Sequence, residues 1–198
     1  MNYALVTGAS SGIGLEYARQ LAALGYSVLV VSNQSAANEQ VAAQLTREYK
    51  VKAIPLYADL SQDQAAGQIF QYCQDNQLKV DILVSNAGIL HFGKLIHTGT
   101  EVIQRILNIH CTTPIKLCRL FGAEMCRRRQ GHILLMSSMA AWTPYPTMSL
   151  YGSTKTLLKN FGQSLWYELE PEGVHVTTVF PSAVDTSFYD IDSKARRR

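Results

Sequence analysis

The sequence predicts an α/β fold: a doubly wound parallel sheet of about six strands with helices on both faces, in three layers. Short apolar runs alternate with longer segments of helical periodicity along the chain. A glycine-rich turn follows the first apolar run directly and opens a helix. With 198 residues, 47% of them hydrophobic, the chain can bury one large core, and a single domain over 1–198 is expected.

The predicted strands are short apolar runs that end at turn residues. They lie at 3–7, 27–31, 52–57, 81–85, 132–137 and 174–180. Helical periodicity predicts a helix directly after the glycine turn and further helices at 36–49, 61–76, 100–128 and 150–169. Pro114 has no amide N–H, so it should bend the helix 100–128 or mark a local break in it.

Composition and charge argue against several classes of protein. The net charge of +3 is concentrated in the arginines at 127–129 and 196–198, and no aromatic residues interleave with them, so a nucleic-acid partner is not expected. No run of about 18 apolar residues indicates a membrane span. The four cysteines contain no C-x-x-C, which predicts reduced, mostly buried thiols in a cytoplasmic protein. The histidines lack metal-ligand spacing, so no metal site is expected.

The glycine turn at 8–14 fits several kinds of site. A P-loop would need a lysine and a Ser or Thr after the last glycine, and Leu15 follows Gly14 instead. Residues 8–12 also fit G-x-S-x-G, the nucleophile elbow of serine hydrolases, but that elbow normally follows several strands and here only one precedes it. The turn could also be purely structural. Its place after the first strand favours a dinucleotide site, where backbone N–H groups meet a pyrophosphate at a helix N-terminus.

Tyr151 and Lys155 are four residues apart in a predicted helix, so they lie on one face. An ammonium beside a phenol favours the phenolate; moving a tyrosine pKa from about 10 to about 7 requires roughly 4 kcal/mol. Ser138 lies thirteen residues before Tyr151. A Tyr-x-x-x-Lys alone is common on surface helices, so the pair indicates a site only together with the motifs around it.

At these positions the sequence resembles the short-chain dehydrogenase/reductase family. The matching motifs come in the family's order and at its usual separations, and they cover nearly the whole chain. They are T-G-x-x-x-G-x-G at 7–14, Asp59 with Leu60, Asn86-Ala87-Gly88, Asn108, Ser138, Tyr151 with Lys155, and 181–186. The resemblance implies a Rossmann-type fold and an oxidoreductase that uses NAD(P)(H).

The resemblance assigns most of these residues to the cofactor. Asp59 would accept a hydrogen bond from the adenine amine, or would only cap the following helix. The turn at 86–88 would bring backbone against the adenosine ribose, or would only be a turn after the fourth strand. Thr186 would bind near the nicotinamide carboxamide. The other expected cofactor residues are Gly8, Ser10, Ser11, Gly12, Ile13, Gly14, Asn33, Leu60, Asn86, Ala87, Gly88, Tyr151, Lys155 and Pro181.

The implied chemistry has physical requirements of its own. Hydride transfer to a carbonyl builds negative charge on its oxygen, which needs a proton donor and a fixed hydrogen bond. Tyr151 would donate the proton and Ser138 would hold the oxygen; Ser137 competes, but strand alternation and the thirteen-residue interval favour Ser138. Lys155 would favour the phenolate and bind the nicotinamide ribose. Asn108 would hold a water that links Lys155 to solvent, or would satisfy a kink in the long helix.

The residues after the second strand bear on the choice of cofactor. The stretch Ser32-Asn33-Gln34-Ser35 contains no acid that would repel a 2′-phosphate and offers several hydroxyl and amide donors. It therefore favours NADP(H) over NAD(H). Ser11 works against this preference, because many NADP-dependent relatives carry Arg or Lys at its position.

Relatives commonly run further than residue 198, adding a substrate-covering helix and a seventh strand. We expect both to be missing here, with 186–198 forming a mobile tail. The helices 100–128 and 150–169 resemble those through which relatives dimerise, so a homodimer through their apolar faces is expected.

The expected reaction interconverts a carbonyl and a secondary alcohol on an apolar small molecule such as a ketone, an acyl chain or a steroid-like ring. A non-catalytic dinucleotide-binding sensor or scaffold of the same fold is the main alternative, and a sugar-nucleotide epimerase is another. The complete set of serine, tyrosine and lysine favours an enzyme. Candidate substrate-pocket residues, each also explicable by core packing, are His91, Phe92, Trp142, Tyr145, Met148 and Phe188.

Overall fold

The computed structural model describes residues 2–184; Thr186, Phe188 and the rest of the predicted tail lie outside the described residues. The strands are β1 (Tyr3–Thr7), β2 (Ser27–Ser32), β3 (Ala53–Tyr57), β4 (Val80–Ser85), β5 (Gly131–Met136) and β6 (Val174–Val179). They form one parallel sheet in the order β3-β2-β1-β4-β5-β6. The predicted doubly wound sheet is confirmed, and the crossover from β3 to β4 reverses the winding beside β1.

The α-helices cover both faces of this sheet. They are α1 (Gly12–Ala23), α2 (Ser35–Tyr49), α3 (Ala65–Asp75), α4 (Thr100–Leu107), α5 (Thr113–Arg128) and α6 (Ser149–Leu169). Side chains alternate along β1, so Val6 packs towards Leu45 of α2 while Leu5 belongs to the core with Ile69 of α3 and Phe121 of α5. Every residue of β1 is buried, as expected for a central strand covered on both sides.

The helix predicted at 61–76 begins later than expected, at Ala65. The residues before it form turns: the Gln62 amide donates to the Asp59 carbonyl and the Ala65 amide to the Gln62 carbonyl. The Asp59 carboxylate accepts hydrogen bonds from Ser61, which holds this segment out of the helix. The prediction was therefore wrong at the first turn.

The helix predicted at 100–128 contains the local break that Pro114 implied. A π-helical turn, Asn108–Thr112, separates α4 from α5, and Pro114 lies in the first turn of α5. Proline cannot donate a main-chain hydrogen bond. In the turn before it, the Thr113 amide donates to the Asn108 carbonyl, five residues earlier, which is the bond of a π-helix. The wider turn places residues 108–112 against α6, and its His110 accepts a hydrogen bond from the Ile89 amide in the loop after β4.

Two further sequence expectations concern segments within 2–184. No helix in this part of the chain combines the length and the apolar character that crossing a bilayer requires. All four cysteines are free; Cys73, Cys111 and Cys118 are buried and Cys126 is half-buried, which agrees with the expected thiols.

Candidate active site

A cavity of about 880 Å³ opens at the carboxyl ends of the strands, beside the reversal of strand order. Its walls contain most residues that the sequence predicted for cofactor or chemistry. These are Gly8, Ser10, Ser11, Gly12, Ile13, Asn33, Asp59, Leu60, Asn86, Ala87, Gly88, Ser138, Tyr151, Lys155 and Pro181. Gly14 and Asn108 do not line the cavity. The chain topology thus gathers motifs from its whole length in one crevice.

The glycine loop between β1 and α1 is packed too tightly for a side chain at Gly8 or Gly14. Gly8 has φ +67°, and a Cβ there would lie 2.9 Å from the Ala87 Cα. A Cβ at Gly14 would meet the Gly8 carbonyl and the Asn86 side chain. The main chain therefore forms the cavity wall itself, with the N-terminus of α1 at Gly12 beside it. The N–H groups in the first turn of α1, which no N-cap side chain satisfies, and the positive helix end fit the pyrophosphate of a dinucleotide.

Asn86 has a structural role that its predicted place in a ribose-facing turn did not include. Its Nδ2 donates to the Thr7 carbonyl at 3.0 Å and to the Gly8 carbonyl at 3.4 Å. The Thr7 hydroxyl oxygen accepts from the amides of Asn86 and Ala87 at 3.0 and 3.1 Å. These contacts tie the end of β4 to the glycine loop, so the shape of the loop depends on Asn86.

Asn33 follows β2 and lines the cavity, and a second asparagine fixes the strand end beside it. Asn38 is fully buried; its Nδ2 donates to the carbonyls of Ser32 and Leu56, both at 3.1 Å. Its Oδ1 accepts from the Ser32 hydroxyl at 2.6 Å. Asn38 therefore holds the ends of β2 and β3 together beneath the stretch predicted to choose between cofactors.

Asp59 lies in the cavity wall, and its carboxylate also braces the following turn. Oδ1 accepts from the amide and hydroxyl of Ser61 at 3.0 and 2.7 Å, and Oδ2 accepts from Gln62 Nε2 at 3.1 Å. The hydrogen bond from the Ser61 hydroxyl is the main cause that lowers the pKa of Asp59, and the charge of Arg105 acts in the same direction. Asp59 therefore braces a turn and does not cap the following helix, because α3 begins at Ala65 with Gln64 as its N-cap.

Tyr151 and Lys155 lie one turn apart on α6, and both are buried. Lys155 Nζ is 5.6 Å from the centroid of the Tyr151 ring and donates to the Met136 carbonyl, at the end of β5, at 2.8 Å. Burial lowers the pKa of Lys155 to about 8. The two side chains meet at the cavity as the sequence predicted, and the ammonium is held there in a poorly solvated position.

The two candidate serines have different surroundings. The Ser137 hydroxyl is buried and donates to the Lys155 carbonyl at 2.7 Å, so it anchors α6 to the sheet. Both serines belong to the cavity wall, and the Ser138 hydroxyl oxygen accepts from the Ala140 amide at 3.1 Å. As an acceptor in that bond it keeps its own hydrogen for a second partner. This arrangement favours Ser138 as the hydroxyl that meets a ligand.

Asn108 lies in the π-helical turn, and its side chain joins two segments of the protein. Its Nδ2 donates to the Ser61 carbonyl at 2.6 Å, and its Oδ1 accepts from Gln104 Nε2 at 2.9 Å. These bonds fit the alternative in which Asn108 satisfies a break in the long helix.

The aromatic loop residues predicted for the substrate pocket lie outside the cavity walls. They occupy the loops after β4 and β5, which are joined by a hydrogen bond from the Gly93 amide to the Thr147 carbonyl at 2.9 Å. Trp142 contacts Phe180, at 5.6 Å between ring centroids, and Lys159, whose Nζ is 3.9 Å from the centroid of the Trp142 ring. The residues concerned are His91, Phe92, Trp142, Tyr145 and Met148.

Sequence reasoning missed Asn38, Arg105 and His110. Asn38 shares the buried face of α2 with Val41 and Leu45, so a polar residue at an apolar position was its signal. Arg105 lines the cavity four residues before Ile109, which also lines it. His110 is fully buried beside Tyr151, and its position in an apolar run was the only clue.

Comparison with known proteins adds a decisive observation. The sequence model of the family described as short chain dehydrogenase matches residues 2–196. The chain belongs to this family. Residues of the glycine turn, the Asn86-Ala87-Gly88 turn and the Ser138, Tyr151 and Lys155 set, which were expected from the sequence to carry this family's motifs, line one cavity.

The chain has relatives with named activities. The very-long-chain 3-oxoacyl-CoA reductase of Phaeosphaeria nodorum is 32% identical over 96% of this chain and 57% of its own length. The 17-beta-hydroxysteroid dehydrogenase type 3 of Danio rerio is 33% identical over 93% of this chain and 61% of its own. The chain thus spans less than two thirds of the length of these relatives.

A solved structure is also similar. It is a short-chain dehydrogenase from Sphingobium yanoikuyae in complex with NADPH, with a TM-score of 0.91 and 29% identity. The similarity covers 96% of this chain and 74% of that one. The Rossmann-type fold expected from the sequence is therefore confirmed.

Proposed function

We propose that this chain interconverts a carbonyl and a secondary alcohol on an apolar small molecule, using NADP(H) in preference to NAD(H). The observation that carries the proposal is the buried Lys155 ammonium 5.6 Å from the Tyr151 ring, in a cavity that also holds Ser138. A purely structural lysine would gain little from this position, because burial disfavours its charged form. Functional sites are where buried ionisable groups with shifted pKa values are commonly found.

Each of these side chains has a task in the reaction. A bound nicotinamide dinucleotide would supply or accept the hydride. Tyr151 gives its phenolic proton to the oxygen of the carbonyl during reduction and takes a proton back during oxidation. Lys155 stabilises the phenolate, and Ser138 donates its hydroxyl hydrogen to the same substrate oxygen. Asn108 takes part in returning a proton to Lys155 through water, while its side chain holds the π-helical turn in position.

The residues that would hold the cofactor run along the whole cavity. The glycine loop and the start of α1 would hold the pyrophosphate, and Asp59, Leu60 and residues 86–88 would hold the adenosine. Lys155, Tyr151 and Pro181 would face the nicotinamide end. The preference for NADP(H) is supported by Asn33, which stands where an acid would select NAD(H), and by the cationic Arg105 in the cavity wall. The similar structure from Sphingobium yanoikuyae contains NADPH.

The substrate class is supported by the named relatives and by the cavity. One relative is called a very-long-chain 3-oxoacyl-CoA reductase and another a hydroxysteroid dehydrogenase, and each name denotes a compound with a large apolar part, an acyl chain or a steroid ring system. The apolar residues Ile89, Ile109 and Val184 belong to the cavity wall. We therefore propose a ketone, an acyl chain or a steroid-like ring as the substrate.

The assembly is a separate part of the proposal. Three large apolar or aromatic residues of α6 are exposed to solvent: Leu157 by 40%, Trp166 by 41% and Tyr167 by 65%. A homodimer through the helical segments 100–128 and 150–169 would cover apolar surface of this kind. Light scattering at micromolar concentration should give twice the chain mass, and the mass of a monomer would contradict the proposed homodimer.

A cytoplasmic location, proposed from the four free cysteines, would be tested by fractionation.

Titration and turnover test the function together. NADPH and NADH are titrated by nicotinamide fluorescence, and a panel of bulky ketones, 3-oxoacyl thioesters and steroid ketones is then followed by the same signal. Tighter binding of NADPH and reduction of at least one panel member are expected. Equal affinities would remove the NADP preference. Cofactor binding without turnover on any member would favour the non-catalytic sensor instead.

A further inference from the structure

His110 is fully buried in the π-helical turn and is linked by hydrogen bonds to two elements of the site. The Ile89 amide donates to His110 Nε2 at 2.9 Å, and His110 Nδ1 lies 2.9 Å from the Thr154 hydroxyl oxygen. Thr154 in turn donates to the main-chain carbonyl of Tyr151 at 2.7 Å. The histidine thus connects the cavity wall after β4 with the helix turn that carries the tyrosine.

The hydrogen bonds that connect Ile89, His110, Thr154 and Tyr151 allow only one assignment of donors and acceptors. A main-chain amide can only donate, so His110 Nε2 must offer its lone pair to Ile89. The neutral ring then carries its hydrogen on Nδ1 and donates it to the Thr154 hydroxyl, whose own hydrogen goes to Tyr151. A protonated ring would lose the bond from Ile89. Burial and the charge of Lys155 hold the pKa of His110 well below its ordinary value, in agreement with a neutral ring.

The imidazole also touches the phenol ring of Tyr151. The two ring centroids are 5.6 Å apart and the planes meet at 80°, an edge-to-face contact. His110 therefore restrains Tyr151 twice, once through the backbone and once through the ring. On the far side, its partner Ile89 belongs to the cavity wall directly after the Asn86-Ala87-Gly88 turn.

We propose that His110 is a positioning residue for the reaction: it fixes the Tyr151 phenol against Lys155 and the cavity by joining Ile89 to Thr154. The inference rests on the proposed function. It assigns no proton transfer to the imidazole, because both ring nitrogens are already engaged. Misplacement of a reacting group by about 1 Å can cost on the order of a hundredfold in rate, so a kcat effect of about 10- to 100-fold is expected when the link is cut.

Two pairs of variants test the link at both of its joints. His110→Phe keeps a ring against Tyr151 but loses both hydrogen bonds, whereas His110→Gln offers an acceptor and a donor and should recover much of the lost rate. Thr154→Val removes the hydroxyl with little change in shape, and Thr154→Ser restores it. Thr154→Val remains informative if His110→Phe does not fold. NADPH affinity, measured by fluorescence, should stay within about threefold in all four variants, because neither His110 nor Thr154 lines the cavity.

Spectroscopy supplies a readout that does not depend on turnover. In ¹H–¹⁵N long-range correlation spectra of the unmutated protein, His110 should show a protonated Nδ1 and should not titrate between about pH 5.5 and about pH 8.5. A ring protonated on Nε2, or one that titrates in this range, overturns the inference.

The kinetic outcomes separate this inference from the proposed function. If the unmutated protein reduces a ketone while His110→Phe and Thr154→Val keep full kcat, the function stands and the positioning role of His110 is refuted. A fall in both variants that Gln and Ser do not relieve also refutes it. If the unmutated protein shows no turnover, the proposed function fails and this inference fails with it.

Discussion

Lys155 makes the affinity for an anionic dinucleotide depend on pH in a defined range. Burial lowers the pKa of this lysine to about 8, so its ammonium is present below that pH and is lost as the pH rises through it. A ligand that carries phosphates and ribose hydroxyls binds the charged form better. Binding should therefore weaken above pH 8.

The size of the effect follows from the same pKa. With a pKa of about 8, roughly 90% of Lys155 is charged at about pH 7 and roughly 3% at about pH 9.5. If only the ammonium form binds well, the Kd for NADPH rises by at most about 30-fold between these pH values. A smaller rise would mean that the neutral amine also contributes to binding.

Fluorescence titration of NADPH at about pH 7, about pH 8 and about pH 9.5 measures this effect. Lys155→Met should bind more weakly and lose the pH dependence. Lys159→Met is the matched control, because Lys159 lies one turn later on α6 and stacks on Trp142 outside the cavity. It should behave like the unmutated protein. A Kd that is constant over this range in the unmutated protein, or an unchanged pH dependence in Lys155→Met, would refute the reasoning.

Three other predictions concern the loop, the cofactor and the thiols. Asn86→Ala removes two hydrogen bonds to the glycine loop and should lower the free energy of unfolding in urea by about 1–3 kcal/mol and weaken NADPH binding; unchanged stability would contradict the bracing role. Arg105→Gln should weaken NADPH binding several-fold more than NADH binding, and equal losses would remove Arg105 from the cofactor choice. Burial raises the pKa of Cys73 and Cys118 to about 12, so a thiol reagent should modify half-buried Cys126 first in the native protein, and early reaction of Cys73 or Cys118 would be inconsistent.

The strands could be predicted well because each one is a local pattern. A short apolar run between turn residues carries its own signal, and the predicted strand ends differ from the observed ones by about one residue. The late start of α3 depends on what the Asp59 carboxylate does within its turn, which apolar periodicity does not report. The break at Asn108–Thr112 was signalled by Pro114, although its π-helical form was not.

The residues of the candidate site also divide into those that a local sequence pattern identifies and those that depend on contacts distant in the sequence. Gly8 and Gly14, or Tyr151 and Lys155, act through spacings of a few residues, so the sequence could identify them. His110 acts through Ile89 and Thr154, which are 21 and 44 residues away, and such contacts are visible only in the fold. Trp142 was a candidate for the substrate pocket because of its aromatic character and its loop after the fifth strand, with packing as the alternative; its contacts are with Phe180 and Lys159.

Tyr151→Phe tests the central claim most directly. Loss of the phenolic hydroxyl should reduce kcat by about 10²- to 10⁴-fold while the Kd for NADPH stays within about threefold, because a proton donor acts mainly in the transition state. Tyr167→Phe, on the exposed side of the same helix, should keep the kcat of the unmutated protein. A Tyr151→Phe enzyme that turns over at a rate close to that of the Tyr167→Phe control would contradict the assignment of Tyr151 as the acid and base.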